Sequence, residues 1–493
     1  MTQIVASLVE KTVSGIADSS RKAFGVGADL VEVRLDHLDS VSAHTILEAR
    51  RATQGPAIAT LRSRRQGGSS DLKDRDRENK MRQIADSDFE YVDFELGTDD
   101  KLLAKVMDED IRPITIVSHH FRKPVSRSYV ERTLLNACRA GDIGKVAMPC
   151  EHAGHAITLA QIGLSLAKSH KRYVLIGMGA QGQLTRVCAD QMGSELVYAC
   201  LPGREAAPGQ LDLVVQQRLL NKEKLLIGLI GHPVSHSVSK PMQEAAIDCA
   251  GLVGSYLAFD FPPEELDRRA LNTLRAFGFV GLNVTIPHKG WAFDTCSRKG
   301  PAAAATGAVN TLTLGRKSVV GENTDVTGFA RLIDGKIVIL RNLRCLVVGA
   351  GGAARAVVYV LKERGARITI TDIEMKRARK IAREFKCKAL PLGAFYRAKQ
   401  EFSLIVNCTP VGMKGVSDKS PVKDYLLGPG TVFIDIIFNP AETTAMKIAK
   451  QRGASAHGGL EMLVQQGAES FRLWTGKEPD VEAMRQAARR ALE

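Results

Sequence analysis

A lysine heads the apolar run KVAMP at residues 145–149. An ammonium costs several kcal/mol to desolvate, so a strand lysine either snorkels out at the strand end or is kept inside for chemistry. The neighbours of Lys145 decide between the two. Glu32 and Arg34, Arg62, His119 and His120, and Arg186 each stand at or beyond the end of a similar apolar run. Carboxylates, guanidinium groups and an imidazole gathered round an amine can move protons and hold an anion. A second chemistry is written in GAGGAA, residues 349–354. Gly349 permits a tight turn, Gly351 lets backbone approach a pyrophosphate, and Ala354 takes the third position of the Gly-x-Gly-x-x-Gly/Ala pattern. The helix that follows offers its N-terminus to the anion, and Asp372 closes the next predicted strand.

The elements that must hold these groups repeat. Eight short apolar runs occur in about the first 220 residues: 3–8, 29–35, 57–62, 91–96, 114–119, 145–149, 173–178 and 195–200. Stretches of helical spacing separate them, such as 42–52 and 157–170. Eight β-then-α units predict a (β/α)8 barrel, whose active site lies at the carboxyl ends of its strands. Alternation then puts Lys145 on one face with the small Ala147. The run DLKDRDRENKMR at 71–82 mixes charge signs and reads as a solvated helix face or a mobile loop. After residue 222 the rhythm changes to an α/β segment up to about 330, then the strand–turn–helix–strand unit of 343–372. Residues 457–476 read as a glycine turn into an amphipathic helix with Gln466 on its polar stripe. The fold class is α/β, with a barrel at 1–222, a lobe at 223–330 completed by helix near 460–493, and a Rossmann-like lobe at 331–459.

Composition narrows the class. The 493 residues, 44% hydrophobic and 25% charged, are those of a globular protein. No apolar run approaches the roughly 20 residues of a membrane helix, and the N-terminus lacks the basic start of a signal peptide. Nine scattered cysteines without a C-x-x-C argue against disulfides or a zinc knuckle and for the cytoplasm. The net charge of +14 suits small anionic substrates, and 5% aromatic content leaves little for stacking bases, so neither nucleic acid nor membrane is expected. Nothing in the sequence sets an oligomeric state.

The strings themselves resemble two enzyme families. VEVRLDHL, TLRSRRQGG, IVSHHF, KVAMP, GQLTR and APGQL, all within residues 1–222, resemble the type I 3-dehydroquinate dehydratases. SHSVS, NVTIPHK, AVNT, NTD, GAGGAARA, NCTPVGM and MLVQQGAESFRLWTG, in that order, resemble the shikimate dehydrogenases. Together the two halves resemble the bifunctional enzyme of the shikimate pathway. The resemblance implies a lyase that forms a Schiff base on Lys145, with His120 moving protons and His119 as the alternative. Glu32, Arg34, Arg62, Arg186 and Gln210 are implied as substrate contacts. A protonated imine is a better electron sink than the ketone of 3-dehydroquinate, and burial is expected to keep the lysine pKa low enough for attack. No metal is implied.

For the second half the resemblance implies an oxidoreductase that reduces 3-dehydroshikimate to shikimate. Lys289 and Asp325 are the implied catalytic pair, and Ser237, Ser239, Thr285, Asn310 and Gln466 the implied substrate contacts. Gly349, Ala350, Gly351, Gly352, Ala353, Asp372, Arg377, Thr409 and Gly459 are the implied cofactor contacts. The cofactor is NADP or NAD, and Asp372 tilts the reading to NAD because a carboxylate accepts from a ribose 2′-hydroxyl and repels a 2′-phosphate. Departures from the family strings fall at Gln66, Phe121, Ala206, Lys240, Gln243 and Phe438. Two rival readings are a quinate dehydrogenase in the second half and a non-catalytic quinate-responsive regulator.

Overall fold

The computed structural model of the chain describes residues 1–334, 336, 340–397 and 401–493. Its contacts divide it into two units, Met1–Lys224 with Phe259–Gly278, and Leu225–Ala258 with Phe279–Glu493.

In the first unit strands and helices alternate: β1 Gln3–Leu8, α1 Val13–Val26, β2 Leu30–Arg34, α2 Ala43–Ala52, β3 Ala57–Thr60, α3 Asp74–Ala85, β4 Tyr91–Glu95 and α4 Asp100–Met107. They continue as β5 Ile114–His120, α5 Arg127–Ala140, β6 Ile143–Pro149, α6 Ala153–Leu166, β7 Tyr173–Met178, α7 Leu184–Val187 and β8 Leu196–Cys200, then a short β9 Leu211–Asp212 and α8 Leu213–Leu219. The strands hydrogen-bond in the order β7-β6-β5-β4-β3-β2-β1-β8-β9, and each of these pairings is parallel. Between β7 and β8 the backbone N–H of Glu195 donates to the Tyr173 carbonyl at 2.7 Å, so the curled sheet meets itself there. All eight anticipated runs are strands. The two strands carrying the histidines and the lysine are each longer than their apolar runs, because β5 includes His120 and β6 starts at Ile143.

Alternation sorts the strand side chains. Val5, Ile58, Ile116, Ile143, Val174, Ile176 and Tyr198 fill the barrel interior, while Ala6, Val31, Val33, Ala59, Val92 and Val117 pack under the helices. The charge run 71–82 bears out the solvated helix face, with one buried charge that the sequence does not show. It lies largely within α3, and Arg77 is buried, with its guanidinium donating to both carboxylate oxygens of Asp99 at 2.8 Å. An amphipathic pattern made of charges hides such a residue, since only its partner on another element reveals it.

The second unit holds two sheets. The first contains β10 Leu225–Gly231, β11 Gly254–Asp260, β12 Phe279–Val284, β13 Arg298–Lys299, β14 Thr311–Leu314 and β15 Val319–Glu322, in the order β11-β10-β12-β14-β15-β13. Helices α9 Ser239–Cys249, α11 Lys289–Thr295, α12 Pro301–Thr306 and α13 Asp325–Ile333 are interleaved with them in sequence, while α10 Arg268–Ala276, between β11 and β12 in the chain, belongs to the first unit. The second contains β16 Arg344–Val348, β17 Arg367–Thr371, β18 Lys388–Ala389, β19 Leu404–Asn407, β20 Val432–Asp435 and β21 Ser455–His457, all parallel. Its helices are α14 Gly352–Glu363, α15 Met375–Phe385, α16 Leu392–Arg397 and α17 Thr444–Gln451, and the chain closes with α18 Leu460–Thr475 and α19 Val481–Arg490. The order β18-β17-β16-β19-β20-β21 is the 3-2-1-4-5-6 order of a dinucleotide-binding sheet. Helix α18 returns to the first sheet: Trp474 Nε1 donates to the Leu312 carbonyl at 3.0 Å, and a Cβ on Gly281 would fall 2.1 Å from that indole. Among the described residues no helix is long and apolar enough to cross a membrane.

Candidate active sites

The first site grows from register. Ser7 pairs with Glu32, Glu95 with Ser118, and Ser118 with Lys145, so one inward layer carries hydroxyls, carboxylates and an amine. Lys145 is 2% exposed. Its Nζ lies 3.1 Å from Asp93, 3.6 Å from Glu32 and 4.0 Å from the centre of the Tyr198 ring. Burial by itself lowers the pKa of this amine, but Tyr198, Asp93 and Glu32 outweigh it and the pKa is raised. This corrects the sequence expectation: the resting group is an ammonium, and a base must take its proton before the amine can attack.

A cavity of about 320 Å³ opens above the amine and is lined by Glu32, Arg34, Arg62, His120, Lys145, Ala147, Arg186, Tyr198 and Gln210 among others. Every residue anticipated for this half is there. The choice between the two histidines follows from alternation. His120 is two residues from Ser118 on the face of Lys145, whereas His119 points away and meets Phe121 edge-on at 4.6 Å. Burial and the cations Arg62 and Lys145 hold His120 well below the ordinary histidine pKa, so its imidazole is neutral. Its Nδ1 has no hydrogen-bond partner among the described residues, and its backbone N–H donates to Gln66 Oε1 at 2.9 Å. The amide that replaces a carboxylate at Gln66 therefore holds the strand end rather than the ring.

The remaining groups divide into committed and open ones. Glu32 accepts from Ser7 Oγ at 2.9 Å and Thr60 Oγ1 at 3.0 Å. Arg62 donates to Asp93 and Ser118, both at 2.8 Å, and Arg34 donates to Asp36 through two nitrogens at 2.9 and 2.8 Å. Gln210 Oε1 accepts the N–H groups of Ala206 and Ala207, which ties down the loop after β8. Arg186 differs. It is buried, donates through Nη1 to the Tyr198 carbonyl at 2.8 Å, leaves Nε unpartnered, and has no carboxylate within ion-pair distance among the described residues. Burial lowers its pKa to about 10. A buried guanidinium without an anion is built to receive one. Sequence reasoning missed Asp93, Glu95 and Tyr198, although the first two alternate with apolar residues in YVDFEL.

The second site is a cavity of about 270 Å³ lined by Ser239, Thr285, Lys289, Asn310, Asp325, Gln466, Gly352, Ala353 and Gly459, with Asn283 and Phe438 also on its wall. Lys289 opens α11 and Asp325 opens α13, and their Nζ and Oδ2 lie 2.6 Å apart. Asn310 Nδ2 donates to the other oxygen of Asp325 at 2.9 Å and also lies 3.5 Å from Gln466 Oε1, while Asn310 Oδ1 accepts from the Thr324 backbone at 2.8 Å. Asn283, missed in the sequence, accepts from the buried Tyr256 hydroxyl at 2.9 Å and donates to Ser470 at 2.9 Å. Ser237 is not on the cavity wall; its Oγ accepts the Ser239 N–H at 3.2 Å where α9 begins. Gln243 is buried and donates to the Gly467 carbonyl at 2.9 Å, so it joins α9 to α18.

The Gly-rich turn fits a dinucleotide. A Cβ on Gly349, at φ 104°, would fall 2.9 Å from the Cys408 backbone and 3.0 Å from Thr409 Cγ2, whereas one on Gly351 would meet nothing within 4 Å. The turn is thus tight behind and open in front, with α14 starting at Gly352. A Cβ on Gly352 would fall 3.4 Å from Lys289 Cδ, which places this helix start beside the Lys289–Asp325 pair. A Cβ on Gly459 would fall 2.0 Å from the Ile436 carbonyl, so only glycine lets that wall close. Asp372 accepts the N–H of Ala350 through one carboxylate oxygen and that of Glu374 through the other, both at 2.7 Å. Arg377, exposed, pairs with Glu374 at 3.0 Å.

A barrel centred on a buried lysine, followed by a dinucleotide fold with a Lys–Asp pair at its mouth, defines a two-site enzyme. Residues 4–226 match the type I 3-dehydroquinase family, residues 229–312 the shikimate dehydrogenase substrate-binding domain, and residues 459–489 the shikimate 5′-dehydrogenase C-terminal domain. An Archaeoglobus fulgidus protein named shikimate dehydrogenase (NADP(+)) is 40% identical over 272 residues, which are 54% of this chain and 99% of that one. A Thermus thermophilus shikimate 5-dehydrogenase, solved with NADP(H) and shikimate, is 38% identical with a TM-score of 0.50, over 54% of this chain and all of that one. A Listeria monocytogenes enzyme solved with shikimate and NAD is 29% identical with a TM-score of 0.50, over 53% and 96% of the two chains. The chain belongs to the shikimate dehydrogenase family, in the bifunctional form that carries a type I 3-dehydroquinase domain ahead of it.

Proposed function

We propose that the barrel dehydrates 3-dehydroquinate to 3-dehydroshikimate through an imine on Lys145, and that the Lys289–Asp325 site then reduces this product to shikimate. The observation that carries the reading is the buried Lys145 beneath a cavity in which the buried guanidinium of Arg186, without a carboxylate partner among the described residues, stands ready for a substrate carboxylate. The Lys145 ammonium gives up a proton as the ketone enters the site, and His120, neutral in the resting site, relays protons for the steps that follow. The amine then attacks the ketone, and the carbinolamine loses water to give an iminium that makes the neighbouring C–H acidic. Removal of that proton gives an enamine, which expels the β-hydroxyl as water once it is protonated, and hydrolysis frees the lysine. Gln210 and Arg34 bound the cavity on the side of the loops.

In the second site Ser239, Thr285, Asn310 and Gln466 present hydroxyls and amides to the carboxylate and hydroxyls of 3-dehydroshikimate. The nicotinamide supplies hydride. Lys289, held by Asp325, gives a proton to the oxygen that gains negative charge. Ser237 acts through the turn that sets Ser239. Gly349, Ala350, Gly351, Gly352 and Ala353 supply backbone to the pyrophosphate, with Thr409 and Gly459 shaping the walls. Domain roles follow the same division: 1–222 for dehydration, 223–330 with α18 and α19 for the second substrate, and 331–459 for the dinucleotide.

Cofactor choice rests on residues of this chain, since relatives named for NADP(+) lend no support to NAD. Asp372 sits where the ribose 2′-hydroxyl is read, its carboxylate fixed by two backbone N–H groups, and Arg377 is already paired with Glu374. A fixed carboxylate at contact distance outweighs exposed cations that solvent screens. We therefore infer a preference for NADH. One coupled assay tests both statements: 3-dehydroquinate supplied with NADH or NADPH at one salt concentration yields shikimate, with the higher kcat/KM for NADH. No shikimate with either cofactor contradicts the function, and a tenfold or greater NADPH preference, ~1.4 kcal/mol, contradicts the cofactor reading.

A further inference from the structure

Tyr198 stands in β8 with its ring in the barrel interior, 4% exposed, and among the described residues its Oη finds no acceptor, the group beside it being the Lys145 ammonium, itself a donor. A shielded phenol with nothing to donate to is costly to keep, and such a group calls for a reason. The groups near it are already engaged. Glu32 is held by Ser7 and Thr60, and Asp93 by Arg62 and Ser118. The ring face receives the Lys145 ammonium at 4.0 Å from its centre. Burial raises the phenol pKa, so the hydroxyl keeps its proton and is a donor at any working pH.

We propose that Tyr198 is a further catalytic residue of the dehydratase, its ring holding the Lys145 nitrogen and its hydroxyl donating to the oxygen that this nitrogen displaces. The inference rests on the imine reading of Lys145. In the step concerned the amine lone pair forms the C–N bond and the carbonyl π pair moves to oxygen, which takes a proton from the attacking nitrogen. The C–O bond then breaks as the nitrogen lone pair forms C=N⁺. The oxygen leaves as water with its electron pair and the proton that Lys145 gave up at the start, returned through His120. Tyr198 donates a hydrogen bond to that oxygen throughout and loses no proton. The ring faces a positive nitrogen at both ends, ammonium before and iminium after.

The test is borohydride quenching of single turnovers of the full chain with 3-dehydroquinate, comparing wild type with Tyr198→Phe. Phenylalanine keeps the ring and removes only the unpartnered hydroxyl. The adduct on Lys145 is expected to form at least about tenfold more slowly, with KM within about twofold and a Tm equal to or above that of wild type. A wild-type adduct rate in Tyr198→Phe overturns the role of the hydroxyl. So does a slower rate accompanied by a lower Tm, because the hydroxyl would then be structural. Tyr198→Leu, which also removes the ring, is expected to be slower than Tyr198→Phe, and equal rates overturn the part assigned to the ring. Absence of any Lys145 adduct in active wild type overturns the imine reading itself, a separate result.

Discussion

Lys145→Ala abolishes dehydration of 3-dehydroquinate and leaves oxidation of shikimate near the wild-type rate. The loss is on the order of 10⁴-fold or more in kcat, the scale on which removal of a covalent nucleophile is felt. Truncating a buried ion-pair partner often costs the fold as well, by about 3–5 kcal/mol, because a charge is left uncompensated. Here the partners keep other support. Asp93 retains Arg62 and Ser118, and Glu32 retains Ser7 and Thr60. The variant is therefore expected to fold, and steady-state assays of the two reactions on one preparation check the separation. Loss of both activities in a folded protein contradicts two separate sites.

Lys289→Ala does the reverse. Its ammonium is the one cation bonded to Asp325, and the proton it supplies to the developing alkoxide is worth roughly 10²–10⁴-fold, ~3–5 kcal/mol of barrier. Asp325→Asn is expected to fall in the same range, because an amide leaves the ammonium without the charge that sets its position. Dehydration continues unchanged in both variants. Measuring kcat and KM separately for 3-dehydroshikimate reduction places the loss. A fall in kcat marks proton transfer, whereas a rise in KM alone marks a binding role and contradicts the assignment.

Much of this was legible in the sequence because it is periodic. Eight apolar runs at regular spacing gave the barrel, and alternation from Ser118 and Lys145 chose His120 over His119 once strand register was known. The glycine turn at 349–354 was legible for the same reason, since only glycine fits where backbone presses on backbone. What stayed hidden depends on contacts between distant strands. Asp93 reaches Lys145 across 52 positions and Arg62 across 31. No single run shows that Glu32, Asp93 and Glu95 gather round Lys145 and Arg62, and so burial alone gives the wrong direction for the lysine pKa. Arg77 is hidden in a helix crowded with charge, because only Asp99 on another element marks it as buried. Ser237 belongs to the same string as Ser239, yet the turn before α9 puts one on the cavity wall and turns the other to its neighbour's backbone.

The central claim is that Lys145 is covalently joined to substrate during dehydration. Sodium borohydride added while 3-dehydroquinate turns over reduces the iminium to a stable secondary amine, and digestion with mass spectrometry locates it. The account predicts one substrate-derived mass increment, on the peptide containing Lys145 followed by VAMPCEHAGHAITLAQIGLSLAK, with loss of dehydratase activity in proportion. An increment on another lysine, or undiminished activity with no increment at all, contradicts it.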